Sequence, residues 1–166
     1  GGQQFFAAVL DNKIEDHPMK ETLQKQVSES LKIQSREVKV NILQNRATGV
    51  KGDVRAYGRI ASVSISEKHR EVYGWLIEKL RELQSKLTSG NPEFTRILYT
   101  IKEGKGTAPY DVAIRAIETR DFMTADIVAI PWAILTAIAK EILKCSKIAH
   151  VYYDLTSKPP ATIEFE

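Results

Sequence analysis

Apolar positions along the chain fall into two rhythms. Alternation with polar residues marks the stretches "VKVNIL" (38–43) and "RIASVSI" (59–65) as half-buried strands, and "QFFAAVL" (4–10) is a short apolar run of the kind a buried strand makes. "FTRILYTI" (94–101), "YDVAIRAIE" (110–118) and "AHVYYDL" (149–155) are three further strands. Spacing by threes and fours predicts helices. Met19, Leu23, Val27 and Leu31 form one stripe after Pro18, a favourable first-turn residue. Val72, Trp75, Leu76, Leu80, Leu83 and Leu87 form a second within one long helix over about 68–87. Ile134, Leu135, Ile138 and Ile142 form a third, over 131–144. Gly49 and Gly52 in "ATGVKGD" predict a turn, as do "TSGNPE" and "EGKGTAP"; "DFMTAD" is a polar turn or helix start.

The order of elements recurs. "YGRIASVSI" resembles "YDVAIRAIE", and "TRILYTIKEGK" resembles "AHVYYDLTSKP"; Tyr57 and Tyr110 lie about fifty residues apart, and so do Tyr99 and Tyr153. The expectation is an α+β fold made of two related β-α-β subdomains, each a small sheet with helices packed on one face. A family resemblance carried by the motifs quoted below implies that residues 1–12 supply the first strand of the C-terminal subdomain, 13–106 an inserted subdomain, and 107–166 the remainder of the C-terminal one.

Composition narrows the function classes. The 166 residues are 27% charged with a net charge of +3, and the two signs are interleaved, which describes a solvated surface better than a nucleic-acid footprint. An RNA-binding sheet requires exposed aromatic residues; Tyr99, Tyr152 and Tyr153 are the candidates, and the last two point to opposite faces. A single cysteine, Cys145, allows no disulfide and suits a reducing, cytoplasmic compartment; it reads as an inert buried thiol. His17, His69 and His150 lack metal-ligand spacing and read as surface or half-buried rings. The start, "GGQQFFAAVL", has no basic signal-peptide region. "IVAIPWAILTAIA" (127–139) is too short to span a bilayer and reads as a buried or partner-covered helix.

Neither a phosphate-binding lysine loop nor a nucleophile elbow, a zinc-protease motif or a dinucleotide fingerprint is present. Two stretches carry the remaining chemistry. In "GVKGDVRAY", glycines after a strand can turn N–H groups toward an anion, with Lys51 and Arg55 adding charge. The ending "TSKPPATIEFE" sets Lys158 beside the stiff Pro159–Pro160 pair, followed by the carboxylates Glu164 and Glu166. A ligand that is part anion and part hydrogen-bond donor would suit both.

"TGVKGDVRAYG", "YDVAIRAIETRDFMTAD" and "HVYYDLTSKPPATIEFE" together resemble the C-terminal dimerisation domain of GMP synthase, in an enlarged form with an internal repeat. The resemblance is close over about 46–66 and 110–166, with Phe165 where the family has tryptophan. It implies an XMP-binding and dimerisation part of an enzyme that aminates XMP to GMP with ATP, Mg2+ and glutamine-derived ammonia. The ATP-pyrophosphatase and glutaminase domains or subunit would be partners, and this fragment alone would bind no cofactor and be inactive. Position by position, the resemblance carries over Asp53, Arg55, Lys158, Ile163 and Glu164 as XMP-binding residues, with Gln4 a weaker match. A homodimer is expected, and the competing reading is an oligomerisation module with no nucleotide role.

Overall fold

The computed structural model describes residues 3–51, 54–119, 125–127 and 129–156. In chain order the strands are β1 (Gln3–Asp11), β2 (Ile14–Glu15), β3 (Val38–Lys51), β4 (Val54–Ile65), β5 (Phe94–Glu103), β6 (Tyr110–Thr119), β7 (Ala125–Ile127) and β8 (Ile148–Asp154). The helices are α1 (Lys20–Leu31), α2 (Glu67–Trp75), α3 (Ile77–Gly90) and α4 (Trp132–Ile142).

All the strands join one sheet in the order β1-β6-β8-β5-β4-β3-β2, with β7 paired to β6. The fold is α+β, as expected, but the two small sheets are fused into one. The seam is the antiparallel pair β5–β8, in which Tyr99 stands opposite Tyr153. On either side the same pattern unfolds. β4 pairs parallel with β5 across the α2–α3 crossover, and antiparallel with β3. β6 pairs parallel with β8 across α4, and antiparallel with β1.

The irregularities fix the correspondence between the halves. The β4–β5 ladder steps over Thr95 and the β6–β8 ladder steps over Ala149. Matching these two steps superposes Tyr99 on Tyr153, Val63 on Ile114 and Arg59 on Tyr110. The correspondence Tyr99–Tyr153 therefore holds, whereas Tyr57 matches the position two residues before Tyr110. A shift of two leaves every side chain on its face, which is why the repeat was detectable out of register.

The helices cover one face. Leu23, Val27 and Leu31 of α1, Leu80, Leu83 and Leu87 of α3, and Trp132, Leu135 and Ala139 of α4 form one core with Val40, Ile42, Val63, Ile97, Tyr99, Val151 and Tyr153. The other face carries a second buried cluster of Leu10, Leu43, Ala47, Ile60, Leu98, Ala113 and Tyr152, drawn from β1, β3, β4, β5, β6 and β8. The edge strand β1 comes into contact with β3, next to the opposite edge, so the sheet curls around this cluster. Tyr152 and Tyr153 do face opposite ways, and with Tyr99 all three are buried rather than displayed.

Four expectations are corrected. The run over 4–10, expected to be a buried strand, is an edge strand on which Phe5, Ala7 and Val9 are exposed. The helix over 68–87 is two helices, broken at Leu76 (φ −100°, ψ 60°). The break accompanies close packing of α2 on α4, where a Cβ on Gly74 would lie 2.3 Å from the Trp132 ring. It also leaves Val72, Trp75 and Leu76 largely exposed, although the stripe counted them as core. Cys145 is exposed, because it lies in the turn beyond α4. The turn predicted over 47–53 begins later: β3 continues to Lys51, with Gly49 paired to Ala56. No described helix is long and apolar enough to cross a membrane.

Candidate functional site at one end of the sheet

Strand directions bring the predicted segments to one end of the sheet. β6 and β8 run parallel toward it, and β1 starts there, since Gln3 pairs with Glu118. β5 also starts there, because Leu98 pairs with Asp154. β4 runs parallel to β5, so the β3–β4 hairpin, whose last pair is Lys51–Val54, points to the same end. Of the residues carried over from the resemblance, Gln4 lies in β1 opposite Ile117 and is exposed. It shares its face with Phe6, whose partner is Arg115. Arg55 lies in β4 opposite Val50, and only its backbone position is described. Asp53, Lys158, Ile163 and Glu164 lie outside the described residues.

Beneath this end sits a charged cluster that the sequence reading did not single out. Arg96, Arg115 and Asp154 are all fully buried. Arg115 Nη1 lies 3.0 Å from Asp154 Oδ2, and Arg96 Nε 3.4 Å from the same oxygen. Burial pushes the Arg96 guanidinium down to about 10, with Asp154 opposing that shift, so the group remains cationic at neutral pH. Burial also pushes the neighbouring Tyr153 hydroxyl upward, with the Asp154 charge adding to it, so the phenol stays neutral.

The cluster holds the chain where β8 ends. Thr156 N–H donates to Asp154 Oδ1 (2.9 Å), and Arg115 Nη1 donates to the Thr156 carbonyl. From β5, Ile97 N–H donates to Thr156 Oγ1 (2.7 Å), while Leu155 N–H donates to the Ile97 carbonyl (2.9 Å). Thr156 is thus fixed by Asp154 of β8, Arg115 of β6 and Ile97 of β5, immediately before the "SKPPATIEFE" segment. The alternation of "YDVAIRAIE" sets Arg115 on the side of Asp111 and Ala113, opposite Val112, Ile114 and Ala116; its burial on that second face is what makes the charge require a partner. Nothing in the sequence named that partner.

The hairpin side of the same end is also tightly built. Arg59 N–H donates to the Glu93 carbonyl (2.8 Å), and Thr95 Oγ1 donates to the Ala47 carbonyl (2.7 Å). A Cβ on Gly58 would stand 2.3 Å from Thr95 Cγ2 and 2.8 Å from the Glu93 carbonyl, so this approach needs glycine. Arg59 pairs with Glu15 and lies 3.5 Å from Glu93, tying β2 to the β4–β5 connection. Strand ends, the base of the β3–β4 hairpin and the anchored Thr156 thus lie at one end of the sheet. That suits binding a polar ligand. Among the described residues, no group of three His, Cys, Asp or Glu is placed to hold a metal ion.

Comparison with known proteins follows the same segments. Residues 100–165 match the family model of the GMP synthase C terminal domain. The chain is 41% identical over 163 residues, 98% of its length, to a glutamine-hydrolyzing GMP synthase subunit of Sulfurisphaera tokodaii, of which it covers 38%. It is 48% identical over 122 residues to the protein of the same name in Saccharolobus solfataricus, covering 73% of this chain and 30% of that one. A third relative, the glutamine-hydrolyzing GMP synthase of Agathobacter rectalis, is 51% identical over 61 residues, 36% of this chain and 12% of that protein. The chain therefore spans well under half the length of these relatives.

Proposed function

Since the chain carries a GMP synthase C-terminal domain over residues 100–165, we propose that it supplies the XMP-binding part of a GMP synthase, an ATP-dependent ligase that aminates XMP to GMP. The observation that supports this most is the convergence just described. The hairpin that bears Asp53 and Arg55, the strand that bears Gln4 and the segment that bears Lys158, Ile163 and Glu164 all lead from one end of one sheet.

On this reading Arg55 and Lys158 bind the substrate phosphate. Ile163 acts through its backbone or apolar packing. Asp53 and Glu164 accept hydrogen bonds from ribose or base, or orient the two cations. Gln4 adds an amide at the same rim. The Arg96–Asp154–Arg115 cluster positions the terminal segment rather than touching ligand. ATP and Mg2+ belong to the rest of the parent enzyme, together with the ammonia supply, and the chain alone is inactive.

The test is Lys158→Ala in the complete enzyme. Losing one charge-assisted hydrogen bond weakens binding by about 1.5–3 kcal/mol, roughly ten- to a hundred-and-fifty-fold. The expected signature is a raised KM for XMP at saturating ATP, with any fall in kcat reporting lost positioning of the reacting end. Unchanged KM and kcat would remove Lys158 from the site.

Self-association belongs to the same proposal. A homodimer is the expectation from residues 127–139, and Val72, Trp75, Leu76 and Ile134 offer an exposed apolar surface for it. The β5–β8 seam favours a second form, in which the two related halves are already paired within one chain. Sedimentation of the complete subunit separates them: one subunit mass supports the internal pair, and two support the homodimer.

A further inference from the structure

The two halves differ in what covers their outer strands on the helix side. The correspondence fixed by Thr95 and Ala149 extends outward through the antiparallel pairs. Leu43 opposes Ile60 and Leu10 opposes Asp111, so β3 maps onto β1 with a shift of 33 residues. Val38, Val40 and Ile42 then correspond to Phe5, Ala7 and Val9. The first three are 4%, 1% and 0% exposed, because Leu23, Val27 and Leu31 of α1 pack on them. Phe5 and Val9 are 61% and 68% exposed, and Ala7 between them is exposed too. They form an apolar stripe on an edge strand, directed to the same face as α4, and no described element lies over it.

From this asymmetry we infer that the stripe Phe5–Ala7–Val9 is the docking face for a helix formed by the segment of the parent chain directly preceding residue 1. Three observations commit the face to that occupant. First, in the other half the covering helix lies just upstream of the strand it covers: α1 ends at Leu31 and β3 begins at Val38, with only the 3-10 turn Ser35–Glu37 between them. The same 33-residue shift carries α1 to a place wholly ahead of residue 1. Second, the chain accounts for only 38% of a relative that aligns with 98% of it, so most of that relative's length lies outside the described chain. Third, the lining matches: the residues of β1 that correspond to Val38, Val40 and Ile42 under α1 are themselves apolar. The preceding segment is therefore an amphipathic helix of about three turns, like the 12-residue α1, lying beside α4 as α1 lies beside α3. It joins this domain to the remainder of the enzyme as part of the domain's own core rather than as a free linker. The inference rests on the chain belonging to a longer polypeptide, and not on where XMP binds.

The experiment uses the complete subunit with a photo-reactive benzoylphenylalanine in place of Phe5, followed by mapping of the cross-linked peptide. The expected product joins position 5 to the stretch just upstream of residue 1. As a second measurement, Val9→Cys in a Cys145→Ser background is labelled with a maleimide. Labelling in the complete subunit is expected to be slower than in the 166-residue chain by on the order of tenfold or more, because the thiol is covered. Cross-linking to a second copy or to a distant part of the enzyme overturns the inference. So does equal labelling of the Val9→Cys thiol in the two proteins. Neither result bears on the Lys158 kinetics, so this proposal and the nucleotide-site reading fail separately.

Discussion

The two halves of the sheet share a register but use their equivalent interior positions differently. Ser64 and Thr100 in one half correspond to Arg115 and Asp154 in the other. The first pair is two hydroxyls 2.6 Å apart. The second is a buried ion pair at 3.0 Å, joined by Arg96 from across the seam. Likewise Ile60 and Leu98 correspond to Asp111 and Tyr152. The scaffold does not require charge at these places. Beyond Thr100, β5 runs on to Glu103 and into a connection; beyond Asp154 the chain is captured at Thr156 and enters the terminal segment. Buried charge, which rarely stabilises a core, is found where the strand is followed by the held Thr156, and hydroxyls occupy the matching place where β5 simply runs on.

Breaking the charged member of the comparison should have the largest effect. Asp154→Ala leaves two guanidinium groups buried without their shared carboxylate, and should cost about 3–5 kcal/mol. Thermal denaturation of the 166-residue chain reads this directly. A loss under about 1 kcal/mol would mean that the ion pair positions nothing the fold needs. An intermediate effect is expected at the hairpin rim. Gly58→Ala forces a methyl against Thr95 and the Glu93 carbonyl and should cost about 1–3 kcal/mol. Gly106→Ala, where a Cβ meets nothing within 4 Å, is the control and should stay within about 0.5 kcal/mol. If the two alanine variants melt alike, the close approach at Gly58 is not tight. The smallest effect belongs to the neutral pair. Ser64→Ala removes one hydroxyl from Thr100 and should cost about 0.5–1.5 kcal/mol. Should Ser64→Ala destabilise as much as Asp154→Ala, the distinction between the halves disappears.

Much of this architecture was readable along the chain. Apolar alternation and short apolar runs located every long strand, and the spacing by threes and fours located α1, the buried part of α3, and α4. The internal repeat was visible through Tyr99 and Tyr153, because the same side of a strand packs against the same kind of helix in both halves. Two-residue β2 carried no pattern long enough to detect, and the break at Leu76 has no proline to announce it. Of the candidate site, the sequence named the motif-bearing segments, while Arg96 and Asp154 stayed hidden among apolar neighbours.

Periodicity and motif spacing are local, and they determined which segments are strands, which are helices, and which stretches resemble a nucleotide site. Partner choice is not local. That β1 pairs with β6, about a hundred residues away, and that β5 and β8 meet at Tyr99 and Tyr153, was decided only by the assembled sheet. The physical reason is that a strand's ladder hydrogen bonds are satisfied equally well by any extended neighbour. What selects the neighbour is burial of whole faces at once, under α1, α3 and α4 on one side and within the curl on the other. The same collective burial turned Asp154 from one more acidic residue into the shared partner of two arginines, and left Phe5, Ala7 and Val9 uncovered beside a fully packed counterpart.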